Sequence, residues 1–163
     1  MSAFSFRRYA AADAEAIGRL YFDSVRALGV RAYTEAQVAA WAPAPVAAEQ
    51  VQARAGDGRL TLVAEDGAGQ VAAFGDLEAD GHVDMLYARP DAAGTGVAGE
   101  LLDRLIAAAR EAGADRLYVE ASELARPLFA RKGFAVVRRR DFEVRGVAIH
   151  NYAMEMRLEP DPA

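Results

Sequence analysis

Residues 83–102 constrain this chain more than any other stretch. An apolar run ends at Pro90, small residues follow with Gly94, Gly96 and Gly99, and Val97, Leu101, Leu102, Leu105, Ile106 and Ala109 then recur at the 3.6-residue period of a helix. The order is strand, tight turn, helix. At such a junction the first helical amides have no acceptor within the helix and carry partial positive charge, so the turn suits a phosphate or pyrophosphate.

With 163 residues the chain has the size of one domain, expected over residues 1–159 with a short C-terminal tail at 160–163. The absence of cysteine excludes disulfides, thiolate metal ligands and a thiol nucleophile. His82 and His150 stand far apart in sequence, so no metal site is expected. A net charge of −5 argues against nonspecific nucleic-acid binding, which depends on basic residues against phosphates, and favours a cationic or neutral partner. No apolar run approaches the ~20 residues of a membrane-spanning helix, so no membrane partner is expected. The first residues lack the apolar segment and cleavage site of a secretory signal, which points to the cytoplasm.

Along the chain, residues 4–9 read as a short edge strand. Asp13 suits a helix cap ahead of Ile17, Leu20, Tyr21, Val25 and Leu28, with Gly29 as the stop. Thr34 and Gln37 have the spacing of a capping box, and Val38 and Trp41 follow before Pro43. Residues 46–55 suit a further helix. Residues 59–65 and 70–78 form a candidate hairpin, and 82–88 a third antiparallel strand leading into the glycine turn. After the long helix, closed by Gly113, residues 116–121 suit a strand laid parallel to the previous one by a right-handed crossover. A short helix over 125–132 turns Leu128 and Phe129 inward and ends at Gly133. Strands are expected over 134–137 and 147–158, with Arg138, Arg139 and Arg140 as a solvated strand end and residues 159–163 frayed.

This order, together with two motifs, resembles the GNAT superfamily, the Gcn5-related N-acetyltransferases. The family's acyl-CoA signature, Q/R-x-x-G-x-G/A, falls on Ala93-Gly94-Thr95-Gly96-Val97-Ala98, and its short helix ending in Gly-Phe on Leu128-Phe129-Ala130-Arg131-Lys132-Gly133-Phe134. Tyr33, Trp41-Ala42-Pro43, Arg145-Gly146-Val147 and Asn151-Tyr152 look like the YafP-type subgroup. The resemblance implies an α+β chain in three layers. Its central sheet would be mixed, mostly antiparallel, with six or seven strands and a splayed parallel pair, flanked by four or five helices. It further implies an acyl-CoA-dependent N-acyltransferase that moves an acetyl group from acetyl-CoA to a primary amine by direct attack in a ternary complex. The alternative is a non-catalytic acyl-CoA-binding or sensing domain on the same fold. A more distant reading is a nucleotide-phosphate site, although the turn lacks the lysine of a P-loop.

By the same resemblance, the amides of Gly94, Thr95, Gly96, Val97, Ala98 and Gly99 would hold the pyrophosphate. Ala93 stands where the family carries Gln or Arg, and Thr95 occupies a slot often basic, so backbone amides would do most of the holding. Amides of Leu86, Tyr87 and Ala88 would take the pantetheine and the thioester carbonyl, where preplaced donors act as an oxyanion hole. Ser122 stands at the position of a cofactor-touching asparagine.

Alternation along residues 82–88 puts His82, Asp84 and Leu86 on one face of the strand that often carries the family's base. Asp84 is the first candidate and His82 the second. An ordinary Asp pKa of ~3.9 needs desolvation or a relaying water, whereas a histidine near ~6.5 needs less help. Phe129 occupies the family's general-acid tyrosine position, so Tyr87, Tyr118 and Tyr152 are the substitute donors. Tyr33, Trp41 and Tyr152 are expected to border a small-molecule or peptide amine acceptor, and a homodimer is compatible with the family.

Overall fold

The protein is described here by a computed structural model covering residues 3–158, so the tail expected at 160–163 and the fraying expected from 159 lie outside the described residues. Strands β1 (Ser5–Arg8), β2 (Leu60–Glu65), β3 (Val71–Leu77) and β4 (Val83–Ala88) form one antiparallel sheet in that order. Strands β5 (Arg116–Ala121), β7 (Val147–Arg157) and β6 (Ala135–Val144) form a second, in the order β5-β7-β6. The two meet at an isolated parallel bridge between His82 and Tyr118, where the Tyr118 N–H donates to the Gly81 carbonyl at 3.0 Å. The expected parallel pair is therefore present, and it splays directly after this rung.

The splay has a local cause. The β3–β4 register shifts between Gly75 and Leu77, and the intervening Asp76, 3% exposed, turns its carboxylate onto the Met85 N–H at 2.8 Å. Such a bulge bends a strand and increases its twist. Here it lies where β4 leaves β5.

Helices cover both faces, and strand alternation divides the side chains between them. Val63 and Phe74 pack under Ile17 and Leu20 of α1 (Ala14–Leu28) and Val51 of α3 (Ala48–Ala55). Ala64, Ala72 and Ala73 meet Val97 and Leu101 of α4 (Val97–Glu111) on the other face. Leu102 and Leu105 of α4 are fully buried against Leu117, Val119 and Met154, so this helix spans both sheets. Its apolar stripe is the one read from the 3.6-residue period. The short helices α2 (Glu35–Trp41) and α5 (Arg126–Arg131) both border the spaces that open along the seam between the sheets.

Two local expectations change, while Gly29 ends α1 as expected, on account of its small size. Asp13 does not cap α1 with its side chain; its carboxylate instead binds the Arg7 guanidinium at 2.7 and 2.8 Å and the Ala10 N–H at 2.8 Å. Gly29 keeps a right-handed φ of −58°, and its small size is needed because a Cβ would stand 2.9 Å from Val38 Cγ2. Strand β6 does not stop at Val137 but runs to Val144 and turns back through Arg145 and Gly146, both at positive φ. Arg138, Arg139 and Arg140 thus lie in mid-strand. As a sheet edge with mostly exposed side chains, β6 needs no apolar alternation to persist.

Candidate active site

Where β4 and β5 part, a cavity of about 180 Å³ opens between them, with Asp84 and Tyr87 on one wall, Glu120 and Ser122 on the other, and Tyr33, Trp41 and His150 closing the mouth. A groove of about 260 Å³ runs from it past Ala88, Ala93, Gly94 and Ala98, with Arg31 on its rim. Trp41, Leu86, Tyr87, Ser122 and Ala125 line both spaces, so the cavity and the groove adjoin along these residues.

The groove ends at the glycine turn. Gly94 and Gly96 adopt φ of +79° and +87°, a left-handed conformation that favours glycine, and their missing side chains would face open space. Helix α4 makes its first i to i−4 bond from the Glu100 N–H to the Gly96 carbonyl, at 3.0 Å, so the Ala98 and Gly99 amides precede the hydrogen-bonded ladder. Thr95 turns its hydroxyl inward to the Ala92 carbonyl at 2.5 Å, and Val97 is buried. The chain's sole lysine, Lys132, reaches the same helix start: its Nζ would stand 3.7 Å from a Cβ on Gly99, and it pairs with Asp103 at 2.9 Å. It places beside the turn a cation that the alanine at 93 does not supply.

Both base candidates are engaged in ion pairs. Oδ2 of Asp84 accepts from Arg54 at 2.7 Å and Arg59 at 2.9 Å, and both guanidiniums also reach Asp76, at 3.0 and 3.2 Å. Burial pushes the Asp84 carboxyl up, but the two arginines outweigh it and hold the group below the ordinary carboxylate value. The desolvation that would make Asp84 a stronger base is thus more than cancelled. His82 sits at the seam between Glu78, at 2.8 Å, and Glu120, at 3.0 Å, and is not among the residues lining either space.

A third network braces the mouth at His150. Glu123 accepts from His150 Nε2 at 2.6 Å, Tyr152 Oη at 2.9 Å and Arg126 Nη2 at 2.6 Å, and this, led by His150, lowers its carboxyl to about 2. Tyr152 therefore holds Glu123 instead of lining the cavity. Phe129 is 2% exposed and meets Phe134 edge to face at 5.0 Å, so no hydroxyl occupies that position. Of the three substitute tyrosines, Tyr87 lines both spaces, and burial raises its phenol well above the ordinary value. Tyr118 instead donates to Asp80 outside the cavity.

Arg31, Glu123 and Lys132 carry no local signal as site residues, and Glu120 reads in the sequence as a strand carboxylate that pairs with an arginine. Glu120 shares the alternating face of Tyr118, and that signal acquires meaning only once the His82–Tyr118 bridge sets β5 against β4.

A family model described as an acetyltransferase (GNAT) domain matches residues 30–156. A crystal structure of a GCN5-related N-acetyltransferase from Rhodopseudomonas palustris is 34% identical, with 97% of this chain and 98% of that one covered at a TM-score of 0.88. The N-acetyltransferase YafP of Escherichia coli strain K12, itself described as uncharacterized, is 25% identical over 154 residues, 94% of this chain and 96% of its own length. The fold is shared with yncA from Salmonella typhimurium, solved with acetyl-CoA, at 23% identity and a TM-score of 0.76 over 99% of this chain and 98% of that one.

Proposed function

Since the chain belongs to the GNAT acetyltransferase family, we propose that it is an N-acetyltransferase moving an acetyl group from acetyl-CoA to a primary amine by direct attack in a ternary complex. The observation that carries this reading is the junction at Leu86, Tyr87 and Ser122, where a groove leading to a glycine turn adjoins a second cavity. One space suits a long phosphate-bearing chain and the other a small acceptor.

The groove fits acetyl-CoA by its own chemistry. Open space at Gly94 and Gly96 lets phosphate oxygens approach the backbone, and the Ala98 and Gly99 amides supply donors at the positive end of α4. Arg31 and Lys132 add charge at the rim and at the helix start. Past the His82–Tyr118 rung, the free edge of β4 turns toward the seam, so the backbone donors of Leu86 and Ala88 suit the pantetheine and the thioester carbonyl, while the Tyr87 N–H faces β3 like those of Met85 and Arg89. As the amine attacks that carbonyl, negative charge grows on its oxygen, and fixed donors stabilise it without reorganising. Tyr87, kept protonated by burial, is the donor for the departing thiolate. Asp84, ionised beneath its arginines, is better suited to orienting the acceptor than to taking its proton.

Melting curves with acetyl-CoA and CoA, followed by thiol release across a panel of primary amines, test the reading. Both ligands should raise the Tm, and thiol should appear only with an amine. No rise at millimolar ligand would sink the assignment; binding without turnover on any amine would favour an acyl-CoA-binding domain.

A further inference from the structure

We propose that Glu120 seats the ammonium group of the acceptor and takes its proton, with His82 and Glu78 as its positioning residues, and that the cavity accepts primary amines bearing a short apolar or aromatic group. The inference rests on the acetyl-transfer reading for the fate of the amine, but not for its binding.

Two carboxylates line the cavity, and they are unlike. Asp84 is held by two guanidiniums. Glu120 has no arginine within ion-pair distance among the described residues; its Oε1 meets His82 Nε2 at 3.0 Å, and its Oε2 has no hydrogen-bond partner among them. It is therefore the carboxylate with an oxygen to offer a cation. The remaining wall is largely apolar, with Tyr33, Trp41, Phe142 and Ile149, and the space is about 180 Å³, enough for a short side group. Such a wall attracts a cation to ring faces and favours the neutral amine once the proton has left.

The hold on Glu120 is specific. Both ring nitrogens of His82 face carboxylate oxygens, Nδ1 at 2.8 Å from Glu78 and Nε2 at 3.0 Å from Glu120. Ionised carboxylates only accept, so both contacts are hydrogen bonds when His82 is an imidazolium. Its ring is further fixed by stacking on Tyr118, at 4.7 Å and 15°. The groups around it are Glu78, Glu120, Asp84 and Asp80, with Asp80 bound to the Tyr118 hydroxyl, Arg116 lying over the Tyr118 ring, and Arg54 and Arg59 held by Asp84. Burial opposes the imidazolium, but the bond to Glu78 and the charges of Glu120 and Asp84 outweigh it and raise the His82 pKa.

In the reaction, one ammonium N–H passes its proton to Glu120 Oε2, and the freed lone pair attacks the acetyl carbonyl carbon. The N–C bond forms, the C–S bond breaks with its electrons on the thiolate, and the acylated nitrogen loses a second proton to water as the neutral amide forms; Glu120, with its side chain 34% exposed, returns the first proton to water.

The test uses phenethylamine and its neutral analogue 2-phenylethanol, titrated calorimetrically into the full chain at pH 7. The wild type should bind the amine about tenfold more tightly than the alcohol, a typical weight for one charge-assisted contact. Glu120→Gln should bring the two within about twofold, and Glu120→Asp should keep the preference. Nitrogen-15 NMR of His82 gives a readout that needs no variant: phenethylamine should lower its titration midpoint, because a cation arrives on the carboxylate that stabilises the imidazolium. No preference in the wild type, an unchanged preference in Glu120→Gln, or a midpoint indifferent to the amine would each overturn the proposal. Failure of acetyl-CoA to raise the Tm would instead remove the acetyl-transfer reading and leave amine binding to judge Glu120.

Discussion

The Tyr33 hydroxyl accepts the backbone N–H of Glu123 at 2.8 Å while donating to the His150 carbonyl at 2.9 Å. One buried side chain thus ties the segment before α2 to the loop after β5 and to β7, around the mouth of the cavity.

Tyr33→Phe removes both bonds and leaves a partly buried amide without its acceptor, which should cost about 1–3 kcal/mol. Denaturant unfolding measures this. The same variant should raise the KM for the amine while that for acetyl-CoA stays in place, because the groove does not include Tyr33. Equal changes in both would place Tyr33 in general stability alone.

Glu123 predicts an acid-sensitive joint. Its carboxyl is lowered from 4.5 to about 2 in the folded chain, chiefly by His150. Its contribution is therefore complete above the unfolded value and disappears as pH falls toward the folded one. Unfolding free energies measured between pH 6 and pH 2 should show this loss, and Glu123→Gln should flatten that part of the curve. A His82 effect has the opposite sign: its raised pKa stabilises below the unfolded value of ~6.5 and is lost as pH rises through the folded value.

Asp84→Asn leaves Arg54 and Arg59 with less compensating charge and should lower stability by about 1–3 kcal/mol. Its effect on kcat/KM should stay below the ~10²-fold expected of a general base. A larger loss with an unchanged Tm would return the proton-accepting role to Asp84.

Gly81→Ala attacks the rung that joins the sheets. Gly81 has φ +96°, and a Cβ there would lie 2.2 Å from the Arg116 carbonyl oxygen. The substitution should cost about 2 kcal/mol or more and weaken acetyl-CoA binding, since the groove's walls belong to the two strands that this rung aligns. Calorimetry with acetyl-CoA checks the second effect.

The helix α4 and its glycine turn were legible because periodicity and backbone freedom are written locally, in Leu101, Leu102 and Leu105 and in Gly94 and Gly96. The capping box of Thr34 and Gln37 is likewise local, and both of its bonds are present at 3.1 and 2.9 Å. The electrostatic character of the site was not legible. Asp84 looked like a lone strand carboxylate because Arg54 and Arg59 reach it from α3 and the start of β2, across 30 and 25 residues. Lys132 likewise comes to the phosphate turn from the end of α5, and no pattern around residue 93 announces it. Strand β6 was cut short because Arg138, Arg139 and Arg140 interrupt its apolar residues, although Phe142 and Val144 beyond them return to alternate burial.

The single parallel rung between His82 and Tyr118 has a mechanical consequence. Two ladders, each stiff along its own hydrogen bonds, are coupled there by one backbone bridge, while α4 beneath them acts as a common keel. A guest lying in the seam would serve as a temporary strut, converting a compliant joint into a braced one. Amides on β4 and β5 should then exchange with deuterium more slowly in proportion to how tightly the strut is held, so that stiffness of the molecule and occupancy of the groove become two measurements of one quantity.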